Sequence, residues 1–338
     1  MKKTKKYLAV IILLLLVIAA IFTVSLVCEF LSLTSYNGDT IAFNIEEGSF
    51  AYEVAQELED MSIIKSKYTF LLRYKLLGQN NSSIYYGEHI IKKGMNLGDI
   101  LKEVTSMPKN SDTVLLSIPE GYSAEMIAVK AEKAGLCTYN EFISALKTTE
   151  FDYEFIKHIP DGQYKYKLEG FLFPSTYEFL KGDGAERIID TMLKTFEREY
   201  KAHFSDYKDM FRTITIASIV EREAVIDSER PTIAGVIENR LKDDMLLQVD
   251  ATVVYAKSAG HYDMTKVTYK DLEVSSPYNT YKNKGLTPGP ICNAGIKSIL
   301  AAASPERHDW LFYHTDEKKA DGSHIFTKTF DDHVSTMN

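Results

Sequence analysis

The sequence predicts an α+β protein: a single-pass N-terminal transmembrane helix, a small β-α subdomain and a larger mixed α+β domain. Three observations predict it. An uncharged run from Tyr7 to Cys28 follows the basic start "MKKTKK". A strand-turn-helix pattern then recurs three times, from Phe43, Ile90 and Leu116. Beyond it, helical and strand periodicities are mixed, and the whole chain, 45% hydrophobic and 25% charged, has an ordinary globular composition.

The apolar run, as a helix rising about 1.5 Å per residue, spans about 33 Å, enough for a hydrocarbon core of about 30 Å. Lys2, Lys3, Lys5 and Lys6 precede it and Glu29 follows it, so the charge bias puts residues 1–6 in the cytoplasm, the anchor at 7–33, and everything after it outside. A cleaved signal peptide fits less well, because no small-residue cleavage site follows and bulky Val27 precedes Cys28. Removing those four lysines from the 39 basic residues leaves 35 against 47 acids, which argues against a nucleic-acid partner. Three cysteines, one of them in the apolar run, make no disulfide framework.

Residues 34–40 read as a linker. In "FNIEEGSFAYEVAQELED" and "LSIPEGYSAEMIAVKAEK" the same Glu-Gly turn leads from a short strand into an amphipathic helix, with Glu47 and Gly48 matching Glu120 and Gly121. "IIKKGMNLGDILKEV" is a partial third copy, and residues 41–112 form the small subdomain, ending in the polar loop "TSMPKNSD". In the larger domain, 113–338, the spacing predicts an amphipathic helix over Ala185–Tyr200, a helix over Thr213–Ile226, and one from Glu229 to Met245 opening near Pro231. Ser276–Gly295 carries three prolines and reads as loop. "IKSILAAASP" is a short helix, and "WLFYHTD" and "HIFTKTF" are paired strands.

The chain contains no nucleophile elbow, P-loop or dinucleotide fingerprint, and neither histidines nor cysteines have metal-ligand spacing, so no cofactor and no metal are expected. Carbohydrate chemistry remains, which uses carboxyl groups with aromatic and amide side chains. "TITIASIVEREAVI" places Glu221 and Glu223 in an otherwise apolar helix, outside the polar wedge of Thr215, Ser218 and Arg222. A carboxyl against apolar neighbours keeps its proton to higher pH, as a general acid must. The alternative is a pair of glutamates at the edge of a solvated face. Tyr278, Asn279 and Tyr281 in "SPYNTY" are candidates to grip sugar, or else packing residues of a turn-rich loop.

"ASIVEREA" resembles the signature helix of the YceG-like family of endolytic murein transglycosylases. "IPEGYS", "LEGFLFPSTYEF", "NRL" with "LQVDATVVY", "SPYNTY" with "GLTPGPI", and "AAASP" resemble its other landmarks in order, over roughly Ile41 to His333. Ser175, Ala251, Thr287 and Ala294 depart from it at turn positions. The resemblance implies that Glu221 is the catalytic acid and that residues 41–112 are LysM-like, a sugar-binding type of module; Glu169, Glu223, Gln248 and Asp250, with Tyr278, Asn279 and Tyr281, are the candidates to bind or position substrate. It further implies membrane-anchored cleavage of nascent peptidoglycan strands with 1,6-anhydro products, beside wall-synthesis enzymes. A muramidase using Glu221 with a second carboxylate such as Asp250, and a non-catalytic scaffold for synthases, are the rival readings.

Overall fold

The computed structural model describes residues 23–24, 27, 39–46, 49–77, 84–92, 94–108, 112–264 and 266–337. The segment expected to span a membrane, 7–33, lies outside the described residues but for Thr23, Val24 and Val27, as does most of the linker. Among the described residues no helix is long and apolar enough to cross a membrane. The chain divides into two compact units, Met1–Asp112 and Thr113–Asn338, and is a mixture of helices and small antiparallel sheets.

In the first unit, strand β1 (Thr40–Ile45) pairs antiparallel with β2 (Gly87–Lys92), Phe43 standing opposite His89. Alternation turns Phe43, Ile45 and Ile91 to one face. Helices α1 (Ala51–Asp60), α2 (Lys67–Leu77) and α3 (Leu97–Val104) cover that face. Val54, Ala55 and Leu58 come from α1, Phe70 from α2, and Leu97, Ile100, Leu101 and Val104 from α3. Asn96 caps α3 by accepting the Asp99 N–H at 2.9 Å. Two of the three recurring strand-turn-helix patterns, those at Phe43 and Ile90, thus pair with each other, whereas the third opens the second unit.

There β3 (Thr113–Ser117) pairs with β4 (Thr176–Leu180) and leads through Glu120 and Gly121 into α4 (Ala124–Lys133), capped by Ser123. Helix α5 (Tyr139–Thr148) packs beside it and α6 (Gly184–His203) beside α5, α6 burying Ile188, Ile189, Met192, Leu193 and Phe196. At the centre lies α7 (Met210–Glu223), covered by α8 (Arg230–Lys242), α9 (Asp250–Lys257) and α10 (Ile296–Ala303). β5 (Phe312–Thr315), β6 (His324–Thr327) and α11 (Phe330–Thr336) close the chain.

α7 differs from its sequence reading in two ways. It runs three residues earlier at each end, because Ala224 turns to an extended backbone at ψ 122°. Thr215 and Ser218, taken for a polar wedge, are buried. Ser218 Oγ accepts the Ile291 N–H at 3.0 Å and so fastens the loop 276–295 to the helix. The stretch Ile214–Val220 is buried all round and has no solvent face, while Arg212 and Arg222 near the ends of the helix are exposed.

Candidate active site

Glu221 lies in the last turn of α7. Its side chain is 6% exposed, and it is paired rather than surrounded by apolar groups as its helical neighbours suggested. Arg230, at the start of α8, donates through Nη1 to Oε1 at 3.1 Å. The Gly295 N–H, just before α10, donates to Oε2 at 3.0 Å. Arg230 is buried and held in turn: its Nε donates to Asp227 Oδ1 at 3.0 Å and its Nη1 to Ser298 Oγ. Lys297 completes the group by pairing with Asp227. The early end of α7 makes this possible. Had the helix continued through Ile226, Arg230 could not have folded back on it.

A second carboxyl faces the first. Glu120, in the turn after β3, lies over Gly295 so closely that a Cβ built there would stand 1.8 Å from Glu120 Oε1. Residue 295 must therefore be glycine for both contacts to exist. Burial, and then the charge of Glu221, hold the Glu120 carboxyl above the usual carboxylate range, with Arg230 and Lys297 opposing. Next to it, Gly121 at φ +79° lets the backbone pass against Glu221 Cγ and the Arg222 guanidinium. The sequence reading noticed Glu120 only as part of a repeated turn. No sequence spacing brings residue 120 to residue 221, although a glutamate in a glycine turn before a capped helix was a usable signal.

The turn is fixed from behind. Asn293 pairs with Tyr122 through backbone and side chain, Nδ2 donating to Tyr122 O at 2.9 Å and to Glu169 Oε1 at 3.1 Å. Glu169, fully enclosed, also accepts the Ala124 N–H at 3.0 Å and the Tyr255 hydroxyl at 3.2 Å. Burial pushes its carboxyl up to about 7. The structure thus places Glu169 beneath the site, holding the start of α4, and not on a ligand-facing surface. Asn293 was missed, since nothing in a loop sequence marks one asparagine as its anchor.

Glu223 belongs to another cluster, about 200° around the helix from Glu221 at 3.6 residues per turn. It accepts the Tyr313 hydroxyl at 3.0 Å, and burial, with a contribution from Asp250, raises its pKa. Asp250, exposed at the start of α9, accepts the Tyr281 hydroxyl at 2.6 Å, and both line an open cavity of about 470 Å³ with Lys266, Thr268 and Tyr269. Gln248 is exposed nearby in the left-handed region, at φ +50°. Tyr278 and Asn279 turn inward: Tyr278 packs on Tyr255 at 5.0 Å, and Asn279 donates to the carbonyls of Leu272 and Val274. Of the sugar-gripping candidates in this loop, Tyr281 lines that cavity, while Tyr278 and Asn279 are buried.

Comparison with known proteins bears on this arrangement. The model of the YceG-like family matches residues 43–338, which include every residue of the site just described. An endolytic murein transglycosylase of Bacillus subtilis is 36% identical over 307 residues, 87% of this chain and 83% of the relative. One of Streptococcus pneumoniae R6 is 29% identical over 319 residues; the match takes in 87% of this chain but only 57% of that longer protein. The crystal structure of a yceG-like protein from Listeria monocytogenes superposes with a TM-score of 0.58 at 33% identity, over 88% of this chain and 99% of the other.

Proposed function

The chain belongs to the YceG-like family, and from that premise we propose that it is a membrane-anchored endolytic lytic transglycosylase of peptidoglycan. It would cut the β-1,4 bond between N-acetylmuramic acid and N-acetylglucosamine in nascent strands, leaving 1,6-anhydro ends and limiting strand length. The observation that carries this reading is the Glu221 carboxyl, enclosed yet held by Arg230 and the Gly295 N–H, with the Glu120 carboxyl beside it.

Glu221 gives its proton to the glycosidic oxygen as the bond from the anomeric carbon breaks. The O6 hydroxyl of the same muramoyl residue attacks that carbon and returns its proton to Glu221. One carboxyl serves both steps because the nucleophile is part of the substrate. Arg230 and the Gly295 N–H stabilise the carboxylate that exists between the steps. Glu120 keeps a proton beside it to higher pH than a free glutamate does.

The first unit is assigned as the LysM-like, strand-holding module, and the run 7–33 as the anchor that leaves the rest outside the cytoplasm, near wall synthases. A cysteine placed at Asn37 should then react with a membrane-impermeant thiol reagent in cells whose outer layers admit it, and one at Thr4 should not; the reverse pattern rejects the topology.

Mass spectrometry of fragments released by the full-length protein tests the chemistry: 1,6-anhydro ends support it. Reducing ends would favour the second reading, a muramidase, for which the nearness of Glu120 to Glu221 is the specific observation. Glycosidases of that kind use two carboxyl groups across the bond.

A further inference from the structure

Beside the Glu221 cluster lies a cavity with no role in the scheme above. It measures about 400 Å³ and is lined by Tyr122, Met126, Val129, Lys130, Lys133 and His261. Tyr122 is two residues from Glu120, so at most about 7 Å separates the Cα atoms of the two, one in the cavity wall and the other bearing a paired carboxyl. The Asn293 bridge that fixes Tyr122 also fixes that turn. Gly121, between them, touches Arg222, whose guanidinium stacks 3.9 Å from the Tyr262 ring, next to His261.

The lining is basic in a chain of net charge −8. Lys130 and Lys133 lie three residues apart on α4 and so share one face. Lys130 Nζ stands 5.3 Å from the Tyr122 ring centre, and neither lysine has a carboxylate partner among the described residues. Of the acids on α4, Glu125 is engaged by Lys165, Tyr139 and Tyr166, with His261 Nε2 at 3.7 Å, and Glu132 accepts the Tyr139 N–H at 2.9 Å. Tyr122, Met126 and Val129 add apolar surface. A site with two ammonium groups and a short apolar floor suits a carboxylate borne on small aliphatic residues. No arginine is among the residues that line it to grip a phosphate by two parallel bonds, Arg222 being stacked on Tyr262.

We propose that this cavity is the subsite for the anionic peptide that substitutes the lactyl group of the muramoyl residue being cut, with Lys130 and Lys133 pairing with a peptide carboxylate. The proposal rests on the peptidoglycan reading above and deepens it. The peptide hangs from the same sugar ring whose anomeric carbon would face Glu221, and a pocket whose wall is two residues along the chain from Glu120 is placed to receive it. It follows that the protein selects peptide-bearing strands over bare glycan.

The test uses the full-length protein in detergent, carrying Glu221→Gln so that strands are bound and not cut. Binding is measured to uncrosslinked strands with acidic peptides and to the same strands stripped of peptide by an amidase. Peptide-bearing strands should bind on the order of tenfold more tightly, by less at high salt because exposed charges are screened. Lys130→Gln with Lys133→Gln should abolish that preference while leaving bare-strand binding and melting temperature unchanged; Lys130→Arg with Lys133→Arg should keep it. Equal binding of the two strands, or an equal loss on both in the glutamine variant, overturns the proposal. Cleavage by the wild type is scored separately: selective binding without cleavage leaves the subsite standing and rejects the enzyme reading, and cleavage without selectivity does the reverse.

Discussion

Glu221 and Glu223 are two residues apart and chemically separate, so their glutamine variants should behave differently. Glu221→Gln removes the proton donor and should lower the rate of strand cleavage by on the order of a hundredfold to ten-thousandfold. Its amide oxygen can still accept from one donor, while Arg230 keeps Asp227, so stability should fall by only about 1–3 kcal/mol. Glu223→Gln should leave cleavage within about threefold, since its partners are Tyr313 and the Asp250 side; a loss equal to that of Glu221→Gln would reassign the acid. Glu169 makes a pH prediction. Its folded carboxyl titrates near about 7, against 4.5 for the free group. Between these values the folded chain holds a proton that the unfolded chain has lost. Stability from this group is therefore complete at acid pH and is lost as pH rises through about 7. The melting temperature should drop across that window, and Glu169→Gln should flatten the drop. Chemical denaturation at several pH values measures it, and an unchanged slope in the variant would reject the assignment. Glu221 was legible because its helix carries family-typical residues around it; Glu120 and Asn293 were not, because their significance exists only once residues far apart in sequence have met.

Elements meet closely here, and two glycines mark where. Gly235 in α8 faces the chain at 306–308, and a Cβ there would stand 2.4 Å from the Glu306 carbonyl oxygen. Gly235→Ala should cost about 1–3 kcal/mol, because a backbone carbonyl cannot yield as a side chain does. Gly295→Ala should instead spare most of the stability and lower activity, since it displaces a flexible carboxyl and disturbs the N–H that holds Glu221. Thermal melts beside cleavage assays separate the two outcomes. Element types were largely readable: the amphipathic α6, the proline-opened α8 and the paired strands β5 and β6 all carry local periodicity or turn chemistry. α2 escaped notice because Leu72 and Leu76 are exposed while Phe70 is buried, so no single apolar face announces it. The end of α7 was misplaced because Ala224 suits a helix by itself, and what bends the chain there is the tertiary group of Asp227, Arg230 and Glu221.

The two units have separate cores, one built from Phe43 to Val104 and the other from Leu116 to Ala302. They should unfold as two transitions in a calorimetric scan, and deleting residues 41–112 should remove one transition without moving the other; a single transition that shifts with the deletion would contradict this. The three groups that meet at the Glu221 carboxylate come from positions 120, 230 and 295, so ribosomal order matters. A polypeptide stopped before Gly295 lacks one of the donors that holds Glu221, and one stopped before Arg230 lacks both. On the reading proposed above, competence to cut is thus a late event in the birth of each molecule, and an abortive or half-made chain lacks the carboxyl arrangement that cutting requires.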